Sequence, residues 1–158
     1  KTEVDFLIEK ERTTAQYYTD RMIEHFSFKE ESKFFYEAKR ALKAGGLLRF
    51  CVPDFEDCVK KWIEAEDNWK DFFRDDDEAI QQQHWFGNYS YSTDNRWGYL
   101  TASIFGTQNG EGQFHKNAYT VPKIKAICNK LGFGEPSIEK FQWKEDRDLM
   151  INVETKKV

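Results

Sequence analysis

The chain has 158 residues and a mass of 18.8 kDa, enough for one domain with a sizeable core, because a domain of about 150 residues buries roughly two-thirds of its unfolded surface. A net charge of −4 and a pI near 5.5 argue against a general affinity for nucleic acid or anionic membranes, and no apolar run is long enough to span a bilayer. The three cysteines are odd in number and form no Cys-x-x-Cys pair, which favours reduced thiols in an intracellular, cytoplasmic setting.

The first third of the chain predicts two strands and a helix. Val4–Glu9 and Ala15–Asp20 have the apolar content of short strands. Ser27 followed by Glu30 is a capping box, which predicts the start of a helix, and Gly45–Gly46 predicts its end. The predicted inward positions of this helix share helical spacing: Phe34, Phe35, Ala38, Ala41 and Leu42.

The next segment is predicted as a buried strand followed by a helix. Leu47–Pro53 is apolar at nearly every position, which is typical of a parallel strand covered on both faces. Phe55 to about Phe73 is predicted to be helical, and the acidic run Asp75–Asp77 to be a solvated turn or a helix start. The predicted inward residues of the helix are Val59, Trp62, Ile63 and Trp69.

The periodic pattern is lost over residues 79–120, which we interpret as an irregular insertion, rich in aromatic residues and glycine, in a single domain spanning residues 1–158. A loop of this length is uncommon unless it binds something, so part of it is predicted to be a short helix around Trp97–Phe105. Gly106–Gly112 lacks a preceding buried strand, which favours a loop over a phosphate or cofactor cradle.

The end of the chain predicts a helix and a strand pair. Val121–Leu131 has Pro122 in its first turn and Gly132 as its stop. "SIEKFQW" and "LMINVETKKV" alternate apolar and polar residues, which indicates two antiparallel strands joined by the charged turn "KEDRD".

Several of these segments together resemble a known family. "YYTDRMIEHFS", the helix end "RALKAGG", "LLRFCVPDFED", "FHKNAY" and "LGF" are similar to the C-terminal two-thirds of class I S-adenosylmethionine (SAM)-dependent methyltransferases, in particular the small predicted methyltransferases. Ala44 stands where that family usually has Pro, and the resemblance covers Tyr17–Val158. It implies a Rossmann-like α/β fold: a mainly parallel sheet with Leu47–Val52 central and the last two strands antiparallel at one side.

The sequence departs from that family at the cofactor pocket. Such enzymes bind SAM through a Gly-rich turn after the first strand and an acidic residue that closes the second strand. Only 16 residues precede Tyr17, and none of them is Gly. Because Lys1 also opens the chain without Met, we expect a processed, trimmed or partial domain, truncated on its N-terminal side, whose SAM pocket is incomplete.

The resemblance also implies site residues. Thr19, Asp20, Arg21 and Glu24 would lie beside the cofactor, although Asp20 could instead only cap its strand. His25 could be a general base for an acceptor hydroxyl, or could only shape its turn.

The substrate side is predicted to lie in the loop that follows the glycines. His115 is the stronger catalytic candidate, with Lys116 and Tyr119 as substrate contacts, because polar groups on loops above a rigid sheet often carry function. His84 is interpreted as a packing residue, and the histidines and cysteines have no metal-ligand spacing, so no metal is predicted.

Three functions stay open at this point. The first is methyl transfer from SAM to oxygen or nitrogen, completed by an upstream segment or a partner chain. The second is a non-catalytic, methyltransferase-like scaffold subunit, and the third is carbohydrate binding by the Trp- and Tyr-rich loop. We also expect association with another polypeptide or a copy of this chain, through the open edge of Ala15–Asp20 and uncovered aromatic surface at Tyr17, Phe34 and Phe35.

Overall fold

The computed structural model describes residues 14–82, 85, 95–144 and 147–158. The predicted strand Val4–Glu9 and His84 lie outside these residues. The strands are β1 (Thr14–Asp20), β2 (Leu42–Pro53), β3 (Ser137–Gln142) and β4 (Leu149–Lys156). The helices are α1 (Phe28–Ala41), α2 (Phe55–Glu64), α3 (Trp69–Phe72), α4 (Asp77–Gln82), α5 (Tyr99–Phe105) and α6 (Val121–Leu131), with short 3-10 turns at Ile23–His25 and Glu111–Gln113.

The four strands form one sheet in the order β1-β2-β4-β3. β1 pairs with β2 in parallel, while β4 pairs with both β2 and β3 in antiparallel fashion. The predicted interior position of Leu47–Val52 and the terminal antiparallel pair are confirmed. The expectation of a mainly parallel sheet is corrected, because only one of the three pairings among the described strands is parallel.

The start of α1 is as predicted, and its end is not. The Ser27 hydroxyl accepts from the Glu30 backbone N–H, and the Glu30 carboxylate accepts from the Ser27 backbone N–H, so both halves of the capping box are present. The helix ends at Ala41, before Gly45–Gly46, because Leu42 is fully buried and extended. The glycines instead form an irregularity in β2, where the pairing register shifts and Gly45 has φ +73°.

The core lies between one face of the sheet and helices α1 and α6. Leu48, Phe50 and Val52 alternate along β2 toward this face, as the two-residue period of a strand requires. Phe34 and Phe35 are 0% and 2% exposed, so the prediction that they form an uncovered aromatic surface is wrong: α1 presses them against the sheet and against α6. The side chain of Tyr17 is not among those described.

The second face of the sheet is more polar than a strand buried on both sides would allow. Arg49 of β2 is paired with Glu154 of β4, their Nε and Oε2 atoms 2.5 Å apart, and each side chain is 39% exposed. Tyr18 of β1, the neighbour of Arg49, is 54% exposed. This face is covered at Cys51 and Met150, which are 3% and 1% exposed, but not at Arg49 or Tyr18. The prediction of cover on both faces therefore holds for only part of the second face.

The predicted helix Phe55–Phe73 is two helices, with a break after Glu64. Ala65 is already extended, and the Asn68 side chain caps a new, short helix at Trp69. Ile63 and Trp69 are 62% and 51% exposed, so neither faces the core as predicted. Val59 and Trp62 are half-buried, and the Trp62 indole N–H donates to the Thr101 hydroxyl at 3.2 Å, which ties α2 to α5.

The other helices agree closely with their predictions. The short helix expected around Trp97–Phe105 is α5, and Asp77 begins α4. α6 has the predicted bounds, a Thr120 cap and Gly132 in the left-handed region at φ +66°. No helix in the described ranges combines the length and apolar character needed to cross a bilayer.

Candidate functional site

A cleft of about 620 Å³ opens where β1 and β2 end. Asp20, the last residue of β1, and Pro53, the last residue of β2, both line it. The carboxyl ends of parallel strands meet at the same edge of a sheet, and this is where ligands collect in open α/β folds. The remaining walls come from the Ile23–His25 turn, from α5 with the loop after it, and from the turn between β3 and β4.

The floor of the cleft is formed by the tight turn that follows β1. Arg21 has φ +45°, a conformation that side-chain-bearing residues seldom adopt, and its backbone N–H donates to Cys51 O at 2.9 Å. This turn brings Glu24 beneath the cleft, where it is only 3% exposed. Glu24 Oε2 is buried and has no hydrogen-bond partner among the residues that the structure describes.

The backbone of Glu24 also fixes the segment that carries His115. Glu24 O accepts hydrogen bonds from the backbone N–H groups of Lys116 and Asn117, at 2.9 and 3.0 Å. On the other side of this segment, the backbone N–H of His115 donates to Phe105 O at the end of α5, at 3.0 Å. Residues 91 positions apart in the chain, Glu24 and His115, are therefore held side by side by backbone bonds.

The two cleft histidines contact each other edge to face, with ring centroids 4.9 Å apart. His25 Nδ1 lies 3.0 Å from Phe114 O, and His115 Nδ1 lies 3.0 Å from Ser103 O. A carbonyl oxygen can only accept, so each Nδ1 must carry the proton and donate. In the neutral rings both Nε2 atoms then keep their lone pairs.

Aromatic and charged side chains form the opposite wall. The Arg21 guanidinium lies 4.0 Å from the ring centroid of Trp143, and that of Arg147 lies 4.5 Å from the ring of Tyr99. Tyr99 Oη donates to Asp148 Oδ2 at 2.9 Å. These contacts join the β3–β4 turn to β1 and α5, and they combine flat apolar surface with both signs of charge.

Burial shifts several pKa values at the site. It raises the pKa of Glu24 to about 7, because the carboxylate loses its hydration. Burial, together with the neighbouring His25, lowers the pKa of His115, which favours its neutral form. Burial and the adjacent Asp148 carboxylate raise the pKa of Tyr99 to about 12, so the phenol keeps its proton.

Five of the eight predicted site residues line this one cleft. They are Asp20, Arg21, Glu24, His25 and His115. Gly106–Gly112 lies in a loop, as predicted, and the 3-10 turn Glu111–Gln113 begins inside it.

The remaining three predicted residues lie elsewhere. Thr19 is 5% exposed and Lys116 is exposed, and neither residue lines the cleft. Tyr119, predicted as a substrate contact, has a side chain that is 1% exposed and belongs to the core. Its hydroxyl is 3.5 Å from Ile23 O and hydrogen-bonds to Glu31, so it serves packing.

Sequence reasoning missed one whole wall of the cleft. The sequence predicts Trp143 at a strand end, Arg147 and Asp148 in a charged hairpin turn, and Tyr99 in a short helix, whereas all four line the cleft. Their only signal in the sequence is aromatic and charged composition, which does not distinguish a solvated turn from a cleft wall. Trp85 and Trp97, from the loop considered for carbohydrate binding, contact aromatic residues of α2 and α3, and Trp85 is 64% exposed.

Comparison with known proteins identifies the fold. No protein-family model matches the sequence, and none of the curated proteins matches it. Among solved structures, a SAM-dependent methyltransferase from Archaeoglobus fulgidus is similar with a TM-score of 0.58 at 10% identity, over 99% of this chain and 65% of that one. A possible exported protein from Bordetella parapertussis is similar with a TM-score of 0.53 at 13% identity, over 99% of this chain and 42% of that one.

The chain therefore has the mixed α/β, Rossmann-like fold found in SAM-dependent methyltransferases. It spans less than two-thirds of the length of either of these solved structures. Identities of 10% and 13% establish the fold alone, so the activity has to be argued from the cleft.

Proposed function

We propose that this chain forms the acceptor side of a SAM-dependent methyltransferase that transfers a methyl group to oxygen or nitrogen. The observation that carries the proposal is the cleft at the carboxyl ends of β1 and β2, in which an Asp20–Arg21 pair, a buried Glu24 and two histidines converge. The fold shared with a SAM-dependent methyltransferase supports the same conclusion. In this proposal Asp20, Arg21 and Glu24 contact the cofactor.

Methyl transfer from SAM requires no covalent intermediate on the protein. The S–CH₃ bond of SAM breaks while the new O–CH₃ or N–CH₃ bond forms, the sulfonium becomes a neutral thioether, and the acceptor gives up a proton. The protein must hold both reactants in line and exclude water. Such positioning lowers the activation free energy by about 7–11 kcal/mol in well-oriented reactions. The lone pair on Nε2 of His25 or His115 can accept the proton.

The cofactor pocket is proposed to need a further contribution. The sequence has no Gly-rich turn directly after a predicted strand, and none of the 16 residues before Tyr17 is Gly. Each lost hydrogen bond to a polar or charged ligand group costs roughly 0.5–3 kcal/mol of binding. We therefore expect no heat when micromolar SAM is titrated into the isolated 158 residues.

The experiment compares this isolated chain with the native protein. A histidine-free affinity tag at Val158, which is 84% exposed, allows purification of the native polypeptide together with any partner. Its intact mass, its SAM affinity by calorimetry and its photo-labelling by methyl-tritiated SAM are then measured. Binding by the native assembly and not by the isolated chain is expected.

Two outcomes contradict parts of the proposal. A micromolar dissociation constant for the isolated chain would contradict the incomplete pocket. Absence of SAM binding from the native assembly would contradict methyl transfer and favour the scaffold alternative.

A further inference from the structure

Three side chains of the cleft have the composition of a metal site. Glu24, His25 and His115 each present a ligand atom, and these atoms all lie within 4.8 Å of one another. His25 Nε2 is 4.0 Å from Glu24 Oε1. The sequence predicts no metal site, because its histidines and cysteines have no metal-ligand spacing.

The two rings are already oriented as metal ligands are. Histidines that bind metals donate their other ring N–H to a carboxylate, a carbonyl or water, which fixes the tautomer and the direction of the ligating lone pair. His25 donates from Nδ1 to Phe114 O and His115 donates from Nδ1 to Ser103 O, each at 3.0 Å. Both Nε2 atoms are therefore the nitrogens left to ligate.

The glutamate supplies an independent observation. Its side chain is 4% exposed, and Oε2 is buried with no hydrogen-bond partner in the described part of the chain. A buried carboxylate without a partner is costly, because its hydration is lost and nothing replaces it. A bound cation would compensate that loss directly.

We propose that Glu24, His25 Nε2 and His115 Nε2 bind one divalent transition-metal ion. Two imidazoles and one carboxylate suit the ions from Mn²⁺ to Zn²⁺, whereas Ca²⁺ and Mg²⁺ prefer oxygen ligands. Ligand atoms that each lie about 2.1 Å from one ion are about 3.0–3.5 Å from one another. Side-chain rotations that move the ligand atoms by about 1 Å would therefore bring them to bonding distance from the ion.

A site with three protein ligands keeps open positions, as catalytic metal sites do. These positions face the cleft, which is large enough for an acceptor, at about 620 Å³. The catalytic consequence rests on the proposed function: the ion lowers the pKa of an acceptor hydroxyl, whose proton leaves to solvent before the oxygen attacks the methyl carbon. With the ion bound, the two Nε2 atoms ligate rather than accept that proton, and Glu24 binds the ion rather than the cofactor. Oxygen then becomes the favoured acceptor atom.

Metal binding is tested without SAM or acceptor, so that it is independent of the proposed function. Native protein carrying the histidine-free tag is stripped with a chelator, dialysed, and titrated calorimetrically with Zn²⁺. Co²⁺ is titrated separately and followed by its visible absorption. We expect one ion per chain with a micromolar or tighter dissociation constant.

Substitutions assign the ligands. Glu24→Gln, His25→Ala and His115→Ala are each expected to weaken Zn²⁺ binding at least tenfold. Glu111→Gln is the matched control, because this exposed glutamate lies in the same loop region and is no part of the cluster; its affinity should equal that of the parent protein. Circular dichroism identifies any variant that fails to fold.

X-ray absorption fine structure of the Zn²⁺-loaded parent protein needs no variant. Two imidazoles and at least one oxygen ligand are expected in its first coordination sphere. Absence of binding at 100 µM Zn²⁺, equal affinity in all variants, or a coordination sphere without imidazole would overturn the metal site. If methyl transfer survives treatment with the chelator, only the catalytic role of the metal is contradicted. If the protein binds metal but never binds SAM, only the proposed function is contradicted.

Discussion

Single residues of this protein matter most where they join elements that are distant in sequence. Glu31 of α1 is one example: its Oε1 lies 2.7 Å from Nζ of Lys123 on α6. Lys123 in turn donates to Asn117 Oδ1 at 2.6 Å and lies 4.3 Å from the Tyr119 ring centroid. This cluster holds the segment after His115 against α1, so it supports the cleft without lining it.

We predict that Glu31→Gln destabilises the protein at neutral pH and not in acid. Burial would raise the pKa of Glu31, but hydrogen bonds from Lys123, Tyr119 and Asn117 outweigh burial and lower it below its ordinary value of 4.5. A carboxyl whose folded-state pKa is lowered stabilises the fold above its unfolded pKa, and the contribution is lost as the pH falls through the folded value. Removing one charged partner should cost about 1.5–3 kcal/mol.

Urea denaturation of parent and variant at several pH values from 7 down to about 2.5 checks this. The difference in the free energy of unfolding should be largest at pH 7 and shrink as the pH drops below about 4.5. Glu139→Gln is the control, an exposed carboxyl on β3 for which no change is expected. A difference that is the same at every pH would point to lost packing instead of lost charge.

At the scale of elements, the cleft depends on the loop between α5 and α6. Gly106 ends α5 with φ +83° and forms a bridge with Phe114, while the Phe114 carbonyl accepts from His25. The loop thus closes on itself at Gly106 and presents two consecutive residues, Phe114 and His115, to the Ile23–His25 turn. Only glycine fits this position, because a Cβ would overlap the Gln113 carbonyl and lie 2.8 Å from His115 N.

We predict that Gly106→Ala lowers stability and displaces His115. The left-handed backbone alone costs about 1–3 kcal/mol for a residue with a side chain, and the overlap with Gln113 adds to this. Thermal melts should show a fall of at least several degrees, given roughly 2–4 °C per kcal/mol for a chain of this size. The His115 ring resonances in NMR spectra should shift.

Gly110→Ala is the matched control for that prediction. Gly110 lies in the same loop, has an extended φ of −178°, and has open space where a Cβ would be. Its melting temperature and histidine resonances should stay close to those of the parent protein. Equal behaviour of the two variants would show that the bridge at Gly106 is not needed.

At the scale of the molecule, the sheet has an exposed side. β1 is the outermost strand of the described sheet and pairs on one side only. Its Tyr18 is 54% exposed on the face that also carries the Arg49–Glu154 pair. Sheets of Rossmann-like proteins are usually covered on both faces, and an open strand edge invites pairing.

We therefore predict that the 158 residues alone associate with a copy of themselves or aggregate. Size-exclusion chromatography with light scattering should give a mass above 18.8 kDa, and Tyr18→Lys should shift it toward that value. Tyr36→Lys is the matched control, because Tyr36 is similarly exposed, at 57%, but lies on helix α1 rather than on a strand. A parent chain that elutes as a monomer with a cooperative melt would contradict the prediction.

Much of the local structure could be predicted from the sequence. The Ser27–Glu30 capping box, the α6 bounds with Gly132, and the buried strand after Gly46 all depend on residues within a few positions of one another, and all are confirmed. Features set by competition between local and long-range contacts were predicted less well. Gly45–Gly46 would end a helix by itself, but pairing of Leu42 with Thr14 starts β2 first.

The sequence by itself determined the periodic elements and the residue types available to the cleft, because helix caps, strand alternation and turn glycines act between near neighbours. Only the tertiary structure decided which of those residues meet. Backbone bonds to Glu24 and Phe105 place the segment that carries His115 beside His25, and the two rings are oriented by bonds from their Nδ1 atoms to Phe114 O and Ser103 O. Asp148 reaches the cleft because β3 and β4 fold back across the sheet. No local pattern encodes such contacts, since they arise from how the core and the sheet register bring distant segments together.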